Sequence, residues 1–136
     1  MLNSCDLSRN LSSLAELFSF LDQHVEANAL DESQAFCLHL AAEELFTNMV
    51  RHNVGEGEFI SIAIDISDER IRLCFTDHDV EPFDPNEIPK VDVTRSAEER
   101  QPGGLGMHLV RSIVDRVSYE YNNGEMKVSI VKNRSQ

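Results

Sequence analysis

Three clusters of side chains in this 136-residue chain have types and spacings suited to chemistry. Glu44, Asn48 and His52 recur every four residues, so on a helix they share one face. A carboxylate one turn from a carboxamide makes a working pair. The amide oxygen can enter the octahedral shell of Mg²⁺ while the carboxylate orients or deprotonates a hydroxyl or a water. Asp77-His78-Asp79 closes an apolar alternating run. There Asp77 can accept from an exocyclic amine, or the triplet can hold a metal; a polar strand end with turn-forming aspartates competes. Pro102-Gly103-Gly104-Leu105-Gly106-Met107-His108 is glycine-rich and leads into a helical pattern. Backbone N–H groups there can approach an anion at the positive end of a helix. Arg95 and Arg100, just upstream, bring positive charge. Neither a P-loop nor a dinucleotide fingerprint fits: no Gly-Lys-Ser/Thr follows, and Leu109 stands where a third glycine is needed.

These clusters need elements to hold them. Leu11, Leu14, Leu17, Phe18, Leu21 and Val25 predict an amphipathic helix, with Ser13 and Glu16 spaced to cap it. A second helix is expected over 31–52, opened by an Asp31/Gln34 capping box and striped by Leu38, Ala42, Leu45 and Met49. The period then becomes two. Ile60, Ile62, Ile64 and Ile66 share a face, and Ile71, Leu73 and Phe75 do the same after a short turn, which predicts a hairpin. Residues 77–104 lose the apolar pattern and carry all four prolines, as a functional lid would. A helix with Met107, Val110, Ile113 and Val114 follows. A second hairpin then turns at Asn122-Asn123-Gly124. With a short edge strand before residue 8, the order predicts an α/β two-layer sandwich: a mixed, mostly antiparallel sheet with helices on one face.

Composition narrows the function. The net charge is −12, with 24 acidic and 12 basic side chains and 41% hydrophobic residues. That charge repels nucleic acid and anionic membranes, and no apolar run is long enough to span a bilayer. Residues 1–68 carry two basic side chains against twelve acidic, and the remainder ten against twelve. An anionic ligand must therefore lean on the second half or arrive with a cation. Cys5, Cys37 and Cys74 are odd in number and widely spaced, which points to a reducing, cytoplasmic setting.

The three clusters in this order resemble the ATP-binding fold of gyrases, heat-shock chaperones and histidine kinases. The resemblance is closest to its anti-sigma factor serine/threonine kinase branch. Ala42 through His52 is similar to that branch's N box, Asp77 through Pro85 to its first glycine box, and Glu98 through Val110 to its lid end and second glycine box. The resemblance covers roughly residues 8–133, and it implies one ATPase domain over 1–136 with a lid near 84–104. By it, Asn48 would hold Mg²⁺ and Glu44 would be the general base. Asp77 would bind the adenine amino group and Arg100 would stand near the γ-phosphate. His52 and the stretch Gly103, Gly104, Leu105, Gly106, Met107 and His108 would complete the ATP site. Also implied are a sigma factor, an antagonist protein with a Ser/Thr phosphoacceptor, and a homodimer. Alternatives are a nucleotide-gated binding module without transfer, or a stand-alone ATPase domain related to sensor histidine kinases. Two positions depart from the family pattern: Asp79 replaces a glycine, and Met126 stands near a frequent threonine.

Overall fold

The computed structural model describes residues 3–52, 59–78 and 104–134; the side chains of His52 and Leu105 are not among what it describes. In chain order the elements are β1 (Asn3–Ser8), a 3-10 turn (Leu11–Ser13), α1 (Leu14–Ala27), α2 (Glu32–His52), β2 (Phe59–Ile66), β3 (Arg70–Asp77), α3 (Gly104–Ile113), β4 (Arg116–Asn122) and β5 (Glu125–Asn133).

The strands form one sheet in the order β1-β2-β3-β5-β4, and each neighbouring pair is antiparallel. The parallel component expected of a mixed sheet is therefore absent among the described residues. Physically, β2/β3 and β4/β5 are hairpins, and β1 returns along β2 as an edge. Asn123 and Gly124 both have positive φ, 49° and 85°. Those values make a primed turn whose twist matches the strands it joins.

Alternation sorts the sheet into two faces. Leu7, Ile60, Ile62, Ile64, Ile71, Leu73, Phe75, Met126, Val128 and Ile130 are buried under Leu17 and Leu21 of α1, the α2 stripe, and Met107 and Val110 of α3. The predicted Leu38, Ala42, Leu45 and Met49 are all in this core. The Asp31/Gln34 box forms in both directions, with Gln34 N–H donating to Asp31 Oδ1 at 2.7 Å and Asp31 N–H to Gln34 Oε1 at 3.1 Å. The first helix starts differently from the expectation. Ser13 makes no capping hydrogen bond, and Asn10 caps the 3-10 turn instead, accepting from Ser12 N–H at 2.9 Å. That turn occupies the residues a Ser13/Glu16 box would have needed.

Helices α2 and α3 run antiparallel. Cys37 Sγ donates to the carbonyl of Ile113 at the end of α3, while Glu44, two turns further along α2, lies against Gly106 at the start of α3. Lys132 Nζ also donates to Ile113 O at 2.9 Å, which caps the last turn of α3. This register carries Asn48, one turn beyond Glu44, past the level where α3 begins.

Candidate functional site

Glu44 and Asn48 sit on the polar side of α2, each half-buried beside the apolar stripe. Burial, reinforced by the neighbouring Glu43 carboxylate and opposed by Arg51, raises the Glu44 pKa above the ordinary carboxylate range. A carboxyl poised closer to neutral is suited to general-base work. Asn48 carries a different signal. Its Oδ1 is buried, and among the described residues it has no hydrogen-bond partner. A buried acceptor left open is costly, so the atom is explained by something that it would bind. Thr47, between them, spends its hydroxyl on the α2 backbone at Glu43 O, 2.9 Å away, and takes no part.

The start of α3 meets Glu44 directly. A Cβ built at Gly106 would overlap the Glu44 carboxylate, so only glycine leaves room for it there. The acid therefore lies against the first turn of α3. Met107 is buried in the core and His108 is exposed, so these two adjacent side chains leave α3 on different sides, about 100° apart.

Asp77 ends β3 on the helix-covered face and is fully buried, with Ile60 of β2 on one side and Met126 of β5 on the other. Its Oδ1 accepts from the Arg9 guanidinium. Arg9 also reaches the carbonyl of His78 at 3.5 Å. Sequence reasoning did not single out Arg9. The available signal was that it is one of two basic side chains in the acidic half, two residues past a buried strand position.

Asp77 and His78 do not form a unit. His78 turns to the other face of the sheet, its Nε2 3.0 Å from Ser61 Oγ and its Nδ1 3.0 Å from Glu125 Oε2. Serine, histidine and glutamate in that order resemble a nucleophile, base and orienter. The Ser61 hydroxyl, however, donates to Asp6 Oδ1 at 2.7 Å, so its proton points away from the imidazole. The set ties β1, β2 and β5 to the residue that follows β3. Among the described residues no three His, Cys, Asp or Glu side chains converge as a metal site.

The structure thus brings Glu44 against Gly106, with Asn48 one turn along α2, and sets Asp77 at the end of β3 beside Arg9. The side chain of His52, and Asp79, Arg95, Arg100, Gly103 and the rest of the expected lid, lie outside the described residues. The donor set fits magnesium: Mg²⁺ takes one or two protein oxygens and completes its shell with phosphate and water, which one open amide oxygen allows.

The fold belongs to a known class. Residues 7–132 match the histidine kinase-like ATPase domain, and the chain is a member of that family, which implies an ATP site. Among curated relatives, it is 30% identical over 91 residues to the serine/threonine-protein kinase BtrW of Bordetella bronchiseptica, covering 65% of this chain and 63% of that protein. It is 25% identical over 91 residues to the serine-protein kinase RsbW of Halalkalibacterium halodurans, covering 64% of this chain and 56% of that protein. The aligned stretch therefore spans less than two thirds of either relative. A crystal structure of the RsbU and RsbW domains of Rv1364c from Mycobacterium tuberculosis shares the fold. Its TM-score is 0.69 at 13% identity, over 99% of this chain and 33% of that one. Among the described residues no helix is long and apolar enough to cross a membrane.

Proposed function

We infer that the chain is an anti-sigma regulatory factor with serine/threonine kinase activity, which transfers the γ-phosphoryl group of ATP to a hydroxyl on an antagonist protein. The observation that carries this reading is the open, buried Oδ1 of Asn48 one turn from Glu44. Two relatives named as serine or serine/threonine kinases support the same reaction class.

In this reading residues 1–136 act as one ATPase domain, with the stretch near 84–104 as lid. Asn48 would hold Mg²⁺, which would supply positive charge to offset that of the phosphates. Glu44 accepts the proton of the attacking Ser or Thr hydroxyl as its oxygen bonds to phosphorus, and ADP leaves. Asp77 accepts from the adenine amino group. Gly106 lets Glu44 stand close to α3, and the Gly103–His108 backbone together with Arg100 and His52 meets the phosphates. The partners are a sigma factor and an anti-sigma antagonist protein with a Ser/Thr phosphoacceptor, with the kinase working as a cytoplasmic homodimer. The acidic first half makes binding Mg²⁺-dependent, because ATP is itself an anion.

The test is phosphoryl transfer from γ-labelled ATP with Mg²⁺ to candidate antagonists. Glu44→Gln is expected to lower transfer at least about a hundredfold while retaining ATP binding. Asn48→Ala should lose Mg²⁺-dependent binding. The wild-type rate should rise with pH through a midpoint above the ordinary carboxylate value, because Glu44 must be ionised to accept a proton and its pKa is raised. Binding without transfer to any partner would convert the reading into a nucleotide-gated binding module.

A further inference from the structure

The Asp77 carboxylate is buried between Ile60 and Met126, two side chains with no polar hydrogen to offer. Whether such a carboxyl is charged decides what it recognises. Ionised, it only accepts hydrogen bonds; protonated, it also donates one. Burial among apolar groups favours the neutral form, and an adjacent fixed cation favours the charged one. The purine 6-position distinguishes these states. A 6-amino group offers N–H donors, whereas a 6-oxo group offers an acceptor that repels a carboxylate.

Arg9 supplies the cation, from two strands away. Leu7, Ile60 and Asp77 stand in register across β1, β2 and β3. Arg9, two residues past Leu7, crosses β2 to reach Asp77. Two strand spacings are roughly 10 Å, a span that only a long side chain covers. One nitrogen of its guanidinium, Nη2, donates to both the carboxylate and the carbonyl of His78. The Arg9 side chain is itself only 12% exposed, so the pair is little screened by water.

We propose that Arg9 is a positioning and specificity-determining residue of the nucleotide site, holding Asp77 as a fixed, acceptor-only carboxylate that selects 6-amino over 6-oxo purines. This rests on the reading of Asp77 as the base-contacting residue. Arg9 acts through Asp77 and touches no reacting atom.

Calorimetric titration of the full chain with Mg·ATP and Mg·ITP, which differ in the 6-position and N1 alone, tests it. Wild type should prefer ATP by at least about a hundredfold, because a site built to pair a substrate N–H strongly rejects an analogue that lacks it. Arg9→Gln keeps an N–H donor but removes the charge, and should bring the ATP/ITP ratio within about threefold of one. Arg9→Lys keeps the charge without the fork and should hold the ratio above about tenfold. Melting curves of each variant accompany the titrations. A folded Arg9→Gln with the wild-type ratio, or one that binds ATP more tightly than wild type, overturns the proposal and leaves Asp77 in place. Should Arg9→Gln be unfolded, the Lys variant decides: a folded Arg9→Lys with a ratio near one overturns it as well. Wild type binding neither nucleotide removes the underlying reading of Asp77, and this proposal with it.

Discussion

Asp77 and His78 are neighbours in sequence, yet they stand on opposite faces of the sheet. Asp77 is wholly buried and paired with an Arg9 side chain that is 12% exposed. His78 and its partner Glu125 are 28% and 51% exposed. Both residues make side-chain bonds across strands, but the medium differs. On the helix face a charge has left water and depends on its partner. On the outer face water can replace any bond that is lost. One face is therefore suited to selecting a ligand, the other to tying strands at small energetic cost.

The largest expected effect breaks the buried pair. Asp77→Ala removes the carboxylate that Arg9 binds in an apolar setting and should destabilise the fold by about 3 kcal/mol, read from denaturant unfolding. Asp77→Leu fills the volume between Ile60 and Met126, so it should recover part of that loss while still failing to bind ATP. Equal stability of wild type and Asp77→Ala would mean that the buried face carries no more electrostatic weight than the outer one.

The next effect separates function from stability within the helix face. Gly106→Ala places a methyl group where the Glu44 carboxylate lies. The obstacle is the far end of a flexible side chain, so Glu44 can swing aside. Alanine also gains about 1 kcal/mol in helix propensity over glycine. Melting should shift by only a few degrees, while phosphoryl transfer falls by about tenfold or more because the proposed base is displaced. Unchanged transfer would detach Glu44 from the start of α3.

Much of the fold was legible because its signals are local. The α2 stripe, the Asp31/Gln34 box and the Asn-Asn-Gly turn each follow from residues within a few positions of one another. What was not legible is long-range. Arg9 and Asp77 are 68 residues apart, and nothing in either neighbourhood names the other. Alternation alone put His78 opposite Asp77, but a run of three ionisable side chains invites treatment as one cluster. Gly106 was legible as a place for close approach. That the approaching group includes Glu44 depended on the antiparallel register of α2 and α3, which periodicity does not fix.

The smallest effect belongs to the outer face, and it is the control that gives the comparison meaning. Ser61→Ala removes the hydroxyl that joins Asp6 to His78. Asp6 is exposed and His78 partly so, hence both regain water, and the expected cost is about 0.5–1 kcal/mol. Neither Glu44, Asn48 nor Asp77 touches this hydroxyl, so the ATP/ITP ratio should not move. A loss near 3 kcal/mol, or a changed ratio, would show that the outer tie governs the strand end carrying Asp77. The two faces would then be coupled through the single peptide between residues 77 and 78.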